Sequence, residues 1–116
     1  MSRVVAALAL LGCLANCTPP APARDIATSS DLDAARDKRV RFRGRALDSL
    51  PSARVERDGF GIYCLNYDKW PAELREQELV VEGKLELTDE FVSQDPRVRS
   101  MSTLYVIRDC TVERAR

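Results

Sequence analysis

The chain contains no histidine. That absence removes the Ser-His-Asp and Cys-His catalytic arrangements and every histidine metal site. Aromatic residues are few, with one tryptophan, three tyrosines and three phenylalanines. Net charge is lacking as well, since 18 Lys and Arg residues face 18 Asp and Glu. No global field therefore draws the protein to nucleic acid, which is not an expected partner. No apolar run approaches the ~20 residues that a membrane-spanning helix needs. A length of 116 residues suits one small domain.

What the chain does have is an N-terminal apolar run with a special ending. Arg3 gives a short positive region, Val4 to Leu11 are all apolar, and the tetrapeptide Leu10-Leu11-Gly12-Cys13 follows. This pattern is a secretory signal and not a fold element. It resembles a bacterial lipoprotein signal, in which the cysteine is lipidated and becomes the mature N-terminus. The resemblance implies residues 1–12 as signal peptide, a lipidated Cys13, and several acyl chains holding the protein firmly to a membrane. With Leu14 after the cysteine, it further implies the outer membrane, facing the periplasm. Ala21-Pro22-Ala23 offers an alternative, an ordinary cleavage site that would release a soluble exported domain. Removing residues 1–12 takes away Arg3 alone and leaves 17 bases and 18 acids, a net charge of −1.

Residues 13–30 form the expected tether. Its part from Thr18 to Ser30 is rich in Pro, Ala and Ser and would reach ~40 Å as extended polyproline II. Residues 31–116 form the expected domain. Ser30 is a candidate N-cap for a short helical turn from Asp31 to Arg36. From Lys38 the pattern switches to period two, with Val40, Phe42, Gly44 and Ala46 alternating with arginines, which marks a half-buried strand. A second strand runs through Ala53 and Val55. Asp58-Gly59 signals a hairpin into a third strand, Phe60 to Leu65. Pro71 suits the first position of a short helix, Pro71 to Gln77. Glu78 to Leu87 reads as a fourth strand, residues 88–102 as a polar loop, and Thr103 to Val112 as a fifth strand.

Three segments carry a second resemblance: RVRFRGRALDS, DGFGIYCLNYDKWP and ELVVEGKLEL. With the order of three strands, a short helix and two strands, they resemble the OB-fold, a small mainly β, five-stranded Greek-key barrel. The expected helix lies between the third and fourth strands. The resemblance places the third and fifth strands side by side and parallel, with Cys64 and Cys110 near their ends. In an oxidising compartment it implies a Cys64–Cys110 disulfide, leaving Cys17 in the tether. Alternatively both are small buried hydrophobes. It also has Leu104, Val106 and Val112 facing inward, on which parity Arg108 is a misfit. The cysteine spacing matches no zinc motif, and neither cofactor nor metal is expected.

Two surfaces are candidates for function. Arg39, Arg41, Arg43 and Arg45 occupy alternate positions of one strand, ~6.8 Å apart on one face. Such a ladder would suit phosphates or carboxylates, or it is a solvated face neutralised by Glu82 and Glu86 of the neighbouring strand. The 88–102 loop carries apolar Phe91, Val92, Val98 and Met101 beside Arg97 and Arg99, a candidate partner-binding patch. Tyr63 and Tyr105 are expected as an outer cross-strand pair, and Trp70 as a plug under the barrel. Glu73, Glu76 and Glu78 cluster, but no nucleophile–base pair can be named, so no enzyme is expected. These features together suggest a membrane-anchored module that binds another envelope protein or cell-wall component. The alternative is an anionic ligand (an oligosaccharide, a lipid headgroup or nucleic acid) held on the arginine ladder.

Overall fold

A computed structural model gives the fold of residues 22–92 and 103–116. Its elements are β1 (Arg24–Ile26), α1 (Ser29–Ala34), β2 (Arg39–Leu47), β3 (Ala53–Arg57), β4 (Phe60–Cys64), β5 (Glu78–Thr88), β6 (Leu104–Ile107) and β7 (Thr111–Arg114). Neighbours in the sheet run β2-β3-β4-β6-β5, and β5 pairs back onto β2 to close a five-stranded barrel. The β4–β6 pair is parallel and the other four barrel pairs are antiparallel. This is an OB-like barrel, as the pattern of the chain implied.

Alternation builds the barrel. Along β2, exposed arginines alternate with buried Val40, Phe42, Gly44 and Ala46. Phe42, Ile62, Leu79, Leu85 and Ile107 meet inside the barrel and are fully buried. Each such side chain contributes ~1.5–3 kcal/mol relative to exposure. Asp58 and Gly59 take left-handed φ angles of 52° and 85°, as a two-residue hairpin between twisted strands requires. Trp70 is buried at one end of the barrel. Its Nε1 donates to the Arg54 carbonyl at 2.9 Å and its backbone N–H to Asp48 Oδ1 at 2.9 Å.

Several features depart from the sequence reading. The ordered fold begins before Asp31. Residues Arg24–Ile26 pair in parallel with Val40–Phe42, and Ile26 is buried in the core. The only helix among the described residues is α1, between β1 and β2. It starts two residues before Asp31, because Asp31 accepts the backbone N–H groups of Ala27 and Thr28 at 2.9 Å each and so caps the turn at Thr28. Its Leu32 side chain is buried in the core. Residues 71–77, expected as the helix, form hydrogen-bonded turns instead. The Glu76 N–H donates to the Ala46 carbonyl at 2.8 Å, extending the β2–β5 ladder, and is lost to any helix.

The fifth strand is interrupted at Arg108–Asp109 into β6 and β7, which lie end to end along the edge of β5 opposite β2. The inward face of β6 is also the opposite one, whereas Cys110 and Val112, past the interruption, pack on the core as expected. Ile107 lies in the core opposite Cys64 and Leu85, and Tyr105 packs against the core, whereas Val106 pairs with outward Tyr63. Arg108 therefore shares the outer face with Val106 and is no misfit. Among the described residues no helix is long and apolar enough to cross a membrane.

Candidate functional site

The arginine ladder occupies the outer face of β2, flanked by β5 on one edge and by β1 and β3 on the other. Each rung meets a carboxylate. Arg39 and Arg41 share Glu82, at 3.0 and 3.5 Å. Arg43 meets Glu78 at 3.2 Å, and Arg45 meets Glu76 at 3.8 Å. Glu86, expected as a partner of the ladder, pairs with Arg108 at 3.3 Å instead. Pairs this exposed contribute little to stability; two of them, Arg39–Glu82 and Arg43–Glu78, are also hydrogen bonds at Nε, which set the direction of those two guanidinium groups. At the start of β2 two arginines share Glu82, Asp25 of β1 lies in register with Arg41, and Lys84 stands directly opposite Arg39. Like charges in register across a sheet are unfavourable.

β1 and β3 lie along the same edge of β2 without meeting. β1 pairs with residues 40–42 and β3 with residues 45–47, so a gap opens at Arg43 and Gly44. Gly44 lets the β3–β4 hairpin lie close there. A Cβ at this position would sit 2.6 Å from the Glu56 carbonyl oxygen and 2.8 Å from Val55 Cγ1. The hairpin brings Arg57 to the gap. One groove of about 270 Å³ is lined by Asp25, Ile26, Arg41, Arg43, Arg57 and Val80. A second, of about 320 Å³, is lined by Arg43, Gly44, Glu56, Arg57, Asp58 and Glu78. Arg57 is the residue the sequence reading missed. It lies outside the alternating run, and only the return of the hairpin onto β2 brings it beside the ladder.

The other candidate positions separate from this face. Phe91 and Val92 are half-buried at the start of the loop after β5. Arg97, Val98, Arg99 and Met101, like Cys13, Leu14 and Cys17, lie outside the described residues. Arg108 bridges β5 to that loop, donating to Glu90 Oε1 at 2.6 Å. This hydrogen bond holds the Glu90 carboxyl below its ordinary range, assisted by the Thr88 hydroxyl. Tyr63 lies under the Arg54 guanidinium, 5.5 Å from centroid to Cζ, and Arg54 reaches Glu56 at 2.9 Å. Tyr105 packs against the core, so the outer tyrosine pair does not form.

Cys64 and Cys110 are joined in a disulfide, with their Cα atoms 5.7 Å apart. Among the described residues, no group of three His, Cys, Asp or Glu side chains could hold a metal ion. No protein-family model, curated protein or solved structure matches the chain.

Proposed function

We propose that the protein is a non-enzymatic, lipid-anchored module of the bacterial cell envelope that binds another envelope component through the outer face of β2. The observation that carries this reading is the convergence of Arg41, Arg43 and Arg57 on a groove that also offers apolar Ile26 and Val80. A surface with oriented guanidinium groups around apolar patches has the makings of a specific binding site. Anchorage rests on the Leu10-Leu11-Gly12-Cys13 motif and the apolar run before it. A disulfide is consistent with an exported, oxidising location.

Intact mass of the protein purified from its own membranes tests the anchor. The expected chain begins at Cys13, carries acyl mass and loses membrane association in Cys13→Ala. An unlipidated chain beginning at Arg24 would instead define a soluble exported domain. The binding face is tested separately, by a photo-crosslinking residue at position 41. Crosslinks to one envelope component, lost when Arg43 and Arg57 are both changed to Glu, support it. Crosslinks unaffected by that change exclude the β2 face.

One observation favours a second reading, in which an anionic oligosaccharide or lipid headgroup binds the ladder itself. Arg39, Arg41 and Lys84 gather around Glu82, and Asp25 of β1 in register with Arg41 is the second acid, so three cations meet two carboxylates. That reading requires affinity to fall steeply with salt and with Arg41→Ala plus Arg43→Ala.

A further inference from the structure

The two grooves beside β2 meet at two residues. Arg43 and Arg57 line both of them. Arg43 Nε donates to Glu78 Oε2 at 3.2 Å, and Arg57 Nε stands 3.7 Å from Asp58 Oδ2, an ion pair too long for a hydrogen bond. Among the described residues, neither receives a hydrogen-bond acceptor at its terminal Nη1 and Nη2 nitrogens. Glu78 thus steadies the Arg43 guanidinium plane, and the described residues leave the outer donor pairs of both arginines open. An open, oriented pair of parallel N–H donors is the geometry that grips a planar carboxylate with two hydrogen bonds.

We propose that Arg43 and Arg57 form a clamp for a carboxylate side chain of an extended acidic peptide segment, with Arg41 receiving the next carboxylate along. This inference deepens the reading of the β2 outer face as a binding surface and rests on it. Three observations select this ligand. Ile26, Ala27 and Val80 give the first groove apolar walls, which suit the methylene stem of a glutamate. Asp25, Glu56, Asp58 and Glu78 rim the two grooves, so two charges concentrated on one group, as in a phosphate monoester, meet about twice the repulsion of one carboxylate at that place, and single charges spaced along a peptide suit the separated arginines better. Arg41 and Arg43 stand two residues apart on one strand, ~6.8 Å, the same repeat that an extended peptide gives to alternate side chains. A Glu-x-Glu pattern in a partner therefore falls into register with the two rungs.

The test titrates the protein, purified from its own membranes, with a short end-blocked peptide of alternating Glu and Thr. Saturable binding is expected, weakened about tenfold or more by Arg43→Lys and by Arg57→Lys, because lysine keeps the charge and loses the two-pronged grip. Lys69→Gln, on the loop after β4, is expected to leave it unchanged. All three residues are exposed, and the fluorescence of the single tryptophan, Trp70, reports that each variant is folded. Binding unchanged by the two arginine-to-lysine changes, or weakened as much by Lys69→Gln as by either of them, would reduce the effect to diffuse charge and overturn the clamp. Tighter binding of inorganic phosphate than of the peptide would overturn the choice of a carboxylate ligand. Absence of peptide binding, with crosslinks from position 41 still sensitive to residues 43 and 57, would overturn this inference and leave the binding surface standing.

Discussion

The side-chain amide of Asn66 and the backbone of Cys110 are joined by two hydrogen bonds. Asn66 Nδ2 donates to the Cys110 carbonyl at 3.1 Å, and the Cys110 N–H donates to Asn66 Oδ1 at 3.0 Å. The amide copies the donor and acceptor of a peptide group, so it continues the parallel β4–β6 pairing past the end of β6 at Ile107. The Leu65 N–H, donating to the Ile107 carbonyl at 3.0 Å, begins the same extension. Asn66→Ala removes both bonds and is expected to destabilise the fold by about 1–3 kcal/mol. Urea denaturation followed by Trp70 fluorescence measures it. Asn66→Asp, which keeps the acceptor and loses the donor, is expected to fall between the two.

The covalent link beside that pair acts over a longer range. Cys64 and Cys110 are separated by 46 residues, and closing a loop of that length removes about 4 kcal/mol of unfolded-chain entropy on the loop-entropy account. The double variant Cys64→Ala plus Cys110→Ala is expected to lose stability of that order while keeping the strand order of the barrel. Equilibrium unfolding of the oxidised protein against the variant checks the magnitude. A difference below about 1 kcal/mol would mean that the unfolded chain is already compact around these residues.

The arginine ladder and the barrel strands were legible because period two is unambiguous where charge alternates with apolar residues, as along Arg39–Ala46. Legibility fails where that contrast fails. Leu104, Tyr105, Val106 and Ile107 are all apolar, so nothing in their order says which pair faces inward, and packing opposite Cys64 and Leu85 decides for Ile107. β1 is three residues long and carries one buried side chain, Ile26, too little to stand out from a Pro/Ala/Ser-rich stretch. The site was half legible for the same reason. Arg41 and Arg43 show in the strand pattern, whereas Arg57 joins them only through tertiary closure, which no local pattern encodes.

Gly44 is where that closure is tightest. Its φ is unremarkable and its importance is space, since the β3 backbone passes where a side chain would begin. Gly44→Ala is expected to cost about 1–3 kcal/mol, the range for overpacking a filled site. It should also push the hairpin outward and separate Arg57 from Arg43. The variant therefore tests fold and site together: stability is read by denaturation, and the Arg43–Arg57 separation from a solved structure of the variant. Loss of stability with the two arginines still together would mean that the strain is relieved within β2 and not by moving the hairpin.

Arg108 gives the clearest pH signature. It donates to Glu90 at 2.6 Å and lies 3.3 Å from Glu86, tying the start of the loop after β5 to the strand. The hydrogen bond from Arg108 favours the ionised form of Glu90 and lowers its pKa in the folded protein. A carboxyl whose pKa is lowered on folding adds stability above its unfolded value, near ~4.3, and loses it as pH falls through the lower folded value. The tie should thus be intact at neutral pH and released only in acid below the ordinary glutamate range. Titration of the Glu90 carboxyl carbon by NMR is expected to show a depressed midpoint. In Arg108→Gln that midpoint should move upward, because the charged donor and the Coulomb attraction are both gone. A midpoint that stays depressed in the variant would assign the effect to the Thr88 hydroxyl, which also reaches Glu90, at 3.1 Å, and would leave Arg108 with no part in holding the loop.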